Sequence, residues 1–187
     1  GSNFTDIGLD TAVVAGNDNI YGGSGNDIIY AGGGTDSVDG GSGDDVLYGE
    51  GGDDSIIGGS GNDVIQGDAD WQAASTHGND YIDGGSGEDI IEGLGGNDTL
   101  FGGGDNDEIS GGDGDDYLDG EDGDDLLFGD KGNDQLMGGA GSDQLSGNDG
   151  DDYLDGESGD DSLFGDDGND VLFGGSGNDW LQGGTGD

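Results

Sequence analysis

Residues 58–66 read GGSGNDVIQ, three glycines and an Asn–Asp pair leading into a short aliphatic step. Written in nines from Gly22, variants of this stretch begin at residues 22, 31, 40, 49, 58, 67, 84, 93, 102, 111, 120, 129, 138, 147, 156, 165 and 174. One register, 67–83, carries eight extra residues, Ala69 to Thr76 (ADWQAAST), and a degenerate register, 13–21 (VVAGNDNIY), precedes the set. A repeat of this length marks a stacked architecture before any residue-level reading begins.

Position eight is Ile, Leu or Val in all seventeen registers, from Ile29 to Leu181. Position one is Gly except at Ala31, and position four is Gly except at Asp105. Glycines there permit positive φ and close backbone approach, so the first six residues suit a tight turn. The last three carry β-formers, as in Val64-Ile65-Gln66, and alternation sends position eight inward and positions seven and nine outward. Three-residue strands cannot stand alone and must stack on copies of themselves. Turn, strand, turn, strand then closes one coil in eighteen residues, with register n above register n+2 about 4.8 Å along the axis. Residues 114–130 nearly recur at 150–166, two coils on, and Tyr81, Tyr117 and Tyr153 share that spacing.

Composition alone points the other way. The 187 residues include 51 glycines and 46 acidic side chains against one Lys or Arg, for a formal charge of −45, with 27% apolar residues. Such a chain ordinarily stays disordered, but a disordered chain has no reason to hold a phase over most of its length. The charge repels phosphate, which excludes direct nucleic-acid binding, and no apolar run is long enough for membrane insertion. There is no Cys and hence no disulfide staple. Gly1-Ser2 reads as a cloning remnant, and residues 3–12 as an N-terminal cap or the tail of an upstream domain. The final GGTGD breaks off inside a further repeat, so the chain reads as a piece of something longer.

Position six is Asp in every register: Asp27, Asp36, Asp45, Asp54, Asp63, Asp80, Asp89, Asp98, Asp107, Asp116, Asp125, Asp134, Asp143, Asp152, Asp161, Asp170 and Asp179, with Asp18 equivalent in the degenerate one. Stacking places these carboxylates one strand spacing apart in two columns. Unit charges about 4 Å apart repel by about 1 kcal/mol in water and several-fold more where screening is poor. A cation between neighbouring turns converts that repulsion to attraction. Carboxylate and carbonyl oxygens, with no thiolate or imidazole in phase, select Ca²⁺ over zinc or copper, and flexible loops suit it better than Mg²⁺. Seventeen registers stacked in this way allow at most fifteen inter-turn sites, enough to bring the formal charge from −45 to about −15. With one inward aliphatic per register, the core is too thin to order so much glycine unaided, so metal binding and folding should be one reaction.

At this point GGSGNDIIY (22–30), GGSGDDVLY (40–48) and GGSGNDWLQ (174–182) resemble the nonapeptide of RTX proteins, the secreted bacterial repeats-in-toxin family, over about residues 13–187. The resemblance implies a right-handed parallel β-roll with Ca²⁺ held by the position-six aspartates and by turn oxygens. It also implies Ca²⁺-triggered folding after type I secretion, with a secreted or cell-surface location. Carried over residue by residue, the turn oxygens belong to Gly22, Gly23, Gly25 and Asn26; Gly40, Gly41, Gly43 and Asp44; Gly58, Gly59, Gly61 and Asn62; Gly111, Gly112, Gly114 and Asp115. The same holds for Gly120, Gly123 and Asp124; Gly129, Gly132 and Asn133; Gly138 and Gly141; Gly147, Gly150 and Asp151; Gly156, Gly159 and Asp160; Gly165, Gly168 and Asn169; Gly174, Gly177 and Asn178. Position five is Asn or Asp in all but Thr35, Glu88 and Ser142, and its side chains either ligate or favour the turn. Ala31, Asp105 and the 69–76 insertion mark registers whose sites are weakened or empty.

His77 has no second imidazole or Cys and reads as a turn residue, and the insertion with Trp71 reads as a bulging loop or a docking knob. The outward aromatics pack along the ladder or form a patch for a partner or for self-association. One His and one Lys supply no evident catalytic constellation. The sequence therefore reads as a non-enzymatic secretion and folding cassette or rigid spacer of a larger toxin, enzyme or adhesin, with neighbouring domains of that parent as partners. An adhesive solenoid contacting polysaccharide or ice is the alternative. Its six threonines, at 5, 11, 35, 76, 99 and 185, are out of rank for an ice-binding face.

Overall fold

The structure, a computed structural model, describes residues 16–69 and 76–186. Gly1-Ser2, the 3–12 segment, the start of the degenerate register, Trp71 and the interior of the insertion lie outside those residues. Eighteen strands follow one another: β1 (Asn19–Ser24), β2 (Ile28–Gly33), β3 (Ser37–Ser42), β4 (Val46–Gly51), β5 (Ser55–Ser60), β6 (Val64–Asp68), β7 (Tyr81–Ser86), β8 (Ile90–Gly95) and β9 (Thr99–Gly104). The second half continues with β10 (Glu108–Asp113), β11 (Tyr117–Asp122), β12 (Leu126–Lys131), β13 (Gln135–Met137), β14 (Gln144–Asp149), β15 (Tyr153–Asp155), β16 (Ser162–Phe164), β17 (Val171–Phe173) and β18 (Trp180–Gln182). Odd-numbered strands form one nine-stranded sheet and even-numbered strands another, parallel throughout. Ile29 pairs with Leu47, eighteen residues on, and Ile56 pairs with Ile82 across the insertion, so the extra residues leave the phase intact. This is the all-β solenoid of two registers per coil. No helix of the described residues is long and apolar enough to cross a membrane.

Position eight builds the interior. From Leu47 to Leu163 every such residue is fully inaccessible, in two facing columns between the sheets. The columns open at the terminal coils, where Ile20 and Leu172 are partly buried and Leu181 is 44% exposed. Each column is one side chain wide, so burial comes from the facing column and from the coils above and below.

The strands are longer than the sequence suggests. Three-residue strands occur at β13 and β15–β18, but the others run on through positions one to three of the next register, β6 stopping at position two before the insertion. Gly-Gly-Ser has turn chemistry in isolation, yet stacked copies offer each N–H and C=O a partner, and that ladder overrides propensity. Even beyond the short strands the pairing survives as bridges between Ser158 and Ser176 and between Asp167 and Thr185. Most registers are thus a bent six-residue strand closed by a three-residue turn at positions four to six. The bend lies at position two, where the φ of Glu50, Leu94, Glu121, Asp130, Asn148, Glu157 and Asp166 lies between 61° and 76°. Left-handed backbone costs an L-residue roughly 1–2 kcal/mol, so these positions hold only because both neighbouring coils fix them.

The two outer faces differ. On the odd sheet, position nine alternates from coil to coil: Tyr21, Asp39, Ile57, Asp83, Phe101, Asp119, Met137, Asp155, Phe173. Adjacent like charges on a sheet repel, and the alternation keeps these carboxylates two coils apart. Its rings zigzag, Tyr81 to Phe101 at 5.6 Å, Phe101 to Tyr117 at 5.9 Å, and Tyr153 to Phe173 at 5.5 Å. The even sheet instead carries the stacked pair Tyr30–Tyr48 at 4.8 Å.

Candidate metal centre

The position-six aspartates are fixed from two directions, both of them at every one from Asp36 to Asp161. The backbone carbonyl accepts the position-seven N–H one coil on, as Asp27 does from Val46 at 2.9 Å. The Oδ1 accepts the N–H of the aspartate one coil back, as Asp63 does from Asp45 at 2.7 Å and Asp116 from Asp98 at 2.8 Å. That ladder runs unbroken from the Asp18 N–H on Asp36 to the Asp161 N–H on Asp179. The other oxygen has no such partner. From Asp27 to Asp170 the Oδ2 of every position-six aspartate is buried and accepts no hydrogen bond.

A buried, half-satisfied carboxylate resists ionisation. Burial drives Asp80, Asp107 and Asp134 up to about 8, Asp54, Asp89, Asp116 and Asp143 to about 7, and Asp63, Asp98, Asp125 and Asp152 to about 6. The N–H of the neighbouring aspartate opposes the rise in each case. For most of them a carboxylate one coil away adds to it, as Asp89 and Asp125 do for Asp107.

The glycines shape the space around those orphaned oxygens. A Cβ on Gly40 would lie 2.7 Å from Asp45 Oδ2 and 2.7 Å from the Gly58 carbonyl oxygen. Position one therefore keeps clear a cradle where a carboxylate oxygen and the carbonyl of the next coil converge. At position four the Gly43 carbonyl oxygen occupies the space that a Cβ on Gly61 in the coil above would need, and the same stacking recurs at Gly96 under Gly114 and Gly123 under Gly141. Among the described residues no N–H donates to a position-four carbonyl. Position-five side chains accept the N–H of the position-five residue one coil on, as Asn26 does from Asp44 and Asp115 from Asn133. That ladder gives them a loop-stitching role whatever else they bind.

Orphaned carboxylate oxygens and donor-free carbonyls, without sulfur or nitrogen, are what a hard cation requires. No three His, Cys, Asp or Glu side chains form a cage of their own among the described residues. An ion there must draw on backbone oxygen and on two coils at once. The RTX calcium-binding nonapeptide repeat family matches residues 14–47, 39–70, 76–109, 101–136, 128–163, 137–172 and 164–187. The chain belongs to the RTX calcium-binding repeat family. No curated protein matches it. Calcium is the ion of the RTX repeat, and the donors described fit it.

Departures from the repeat are absorbed in different ways. Asp105, replacing a turn glycine, takes the left-handed conformation itself, with φ 77°. Ala31 is buried at position one. Around the insertion, Ala69 is buried and the Thr76 carbonyl accepts the Gly52 N–H at 3.0 Å, so both ends of the extra segment are built into the roll. Asp68 is the residue that sequence reasoning missed. It occupies position two, where the other acids are at least partly exposed, yet is fully buried, accepting the Gly78 N–H at 3.3 Å with its Oδ2 3.7 Å from His77 Nδ1. Its carboxyl is driven up to about 7, chiefly by burial. The aspartate at the mouth of an insertion was the available signal.

Stacking of the position-four carbonyls makes these glycines irreplaceable where the coil is regular. In Gly114→Ala the new Cβ collides with the Gly96 carbonyl oxygen at a φ of 156°. The expected cost is about 2–4 kcal/mol in saturating calcium, by denaturant unfolding. Gly104→Ala, whose Cβ meets open space, should be near neutral. Equal stabilities for the two variants would contradict the stacked-carbonyl geometry.

Proposed function

We propose that the chain is the calcium-folded segment of a larger exported protein, loose where calcium is scarce and rigid once outside the cell. The two columns of buried, donorless Oδ2 atoms carry this reading, because they make the metal-free coil costly at neutral pH. Metal sites built from loop oxygens of this kind bind in the range of about 10⁻⁴–10⁻³ M in extracellular modules, far above cytosolic free calcium. The family's association with type I secretion agrees with that order of events. A chain that folds only on arrival serves as a folding cassette or rigid spacer for whatever it is joined to. With one imidazole and one amine in the sequence, we read it as non-catalytic.

Circular dichroism during a calcium titration tests the reading. The β-signal is expected to rise steeply between about 0.1 and 1 mM, because inter-coil sites share ligands. A full β-signal already present at sub-micromolar calcium would overturn it.

A further inference from the structure

The outer face of the odd sheet has an order that neither the core nor the metal requires. Position eight is aliphatic and position six aspartate in every coil, but position nine of this face carries an aspartate only in every second coil. At Tyr117 and Asp119, and again at Tyr153 and Asp155, a ring stands beside a carboxylate. Each carboxylate is held in place: the Tyr117 hydroxyl donates to Asp119 Oδ2 at 3.0 Å and the Glu121 N–H to Oδ1 at 3.3 Å. The corresponding distances at Asp155 are 3.3 Å from Tyr153 and 3.1 Å from the Glu157 N–H. Left-handed Glu121 and Glu157 add a second acid to each pair, and Gly139 between them leaves a groove of about 450 Å³ bounded by Asp119, Asp122 and both glutamates.

Charge complementarity identifies what fits. The chain's one Lys or Arg, Lys131, belongs to the even sheet and is paired there with Asp113, so no cation answers these acids from within. A guanidinium laid over a fixed carboxylate and the aromatic ring beside it gains both an ion pair and a cation–π contact. Two coils advance about 9.6 Å. A polyproline II chain advances about 9.3 Å per three-residue turn. Given the calcium-folded coil proposed above, we infer that this face binds an extended, polyproline-type segment bearing arginine at every third residue. The segment runs along the solenoid axis, its arginines reach the successive acid pairs, and Phe101 and Met137 receive the apolar residues between them.

The probe is a fluorescent peptide of Arg-Pro-Pro repeats, compared with one of equal composition whose arginines are contiguous. Anisotropy is read in about 5 mM calcium and about 0.15 M salt. The periodic peptide should bind roughly tenfold more tightly than the contiguous one. The pair Asp119→Asn and Asp155→Asn should abolish that preference. Asp130→Asn with Asp166→Asn, which removes the same charge from the other edge, should preserve it. Should the first pair impair folding, Phe101→Ser with Met137→Ser reads the same loss with the carboxylates intact. Equal affinity for the two peptides, equal loss in both charge pairs, or binding of a neutral β-linked oligosaccharide in place of the peptide overturns the inference. Circular dichroism in the same buffer separates that result from a failure of calcium-dependent folding.

Discussion

Stripped of calcium at about pH 7.5, the chain is expected to lose its β-signal, and acidification toward about pH 4 should restore part of it. The sign follows from the buried aspartates. Their ordinary value, 3.8, applies to the unfolded chain, whereas in the metal-free coil Asp54, Asp107 and Asp134 lie at about 7, 8 and 8. The folded state therefore holds protons that the unfolded state releases. Raising the pH from about 4 to about 8 destabilises the metal-free coil step by step, and below about 4 the penalty is gone. Calcium reverses the dependence, since its ligands must be ionised, so its apparent affinity should weaken as the pH is lowered over the same interval. Dichroism across pH, in chelator and in calcium, reads both limbs. A chelated chain whose β-signal is strongest at pH 8 would contradict the argument.

Substituting one mid-column aspartate should have the next largest effect, and the choice of replacement separates two roles. Asp107 Oδ1 accepts the Asp89 N–H at 2.8 Å, and its Oδ2 is buried without a donor. Asp107→Ala removes the hydrogen-bond acceptor and the orphaned oxygen together, leaving a buried N–H unpaired at about 1–3 kcal/mol. Asp107→Asn keeps an acceptor for that N–H but loses the charge. Both variants should bind fewer calcium ions in equilibrium dialysis, by one or two, because each carboxylate lies between two coils. Only the Ala variant should also be destabilised in acid without metal. The equivalent changes at Asp179, in the open terminal coil, should cost much less. Undiminished calcium stoichiometry in Asp107→Asn would remove the position-six column from the ligand set.

The solenoid was legible in the sequence because its two most repetitive positions are those the fold needs in every coil. An aliphatic at position eight and an aspartate at position six hold phase across the insertion, and Ile56 and Ile82 pair accordingly. Strand length was not legible. Gly58-Gly59-Ser60 has turn propensity, and only stacking on Gly84-Gly85-Ser86 makes it a ladder. Position two alone could not tell Asp68 from Glu50 or Asp130, since all three are acids there, and only the adjoining insertion set it apart. What turns Asp68 inward is the neighbouring insertion, which leaves the Gly78 N–H to be met by its carboxylate.

The alternating stripe on the odd sheet bears on how such a molecule keeps its address. A nine-residue slip would pass unnoticed inside, where one aliphatic and one aspartate are the same from either side. It would exchange the two exteriors, bringing Ser110 and Phe128 to where Asp119 and Met137 belong. Identity in this polymer-like chain therefore resides on its skin, and lengthening or shortening that conserves the pattern proceeds in units of thirty-six residues.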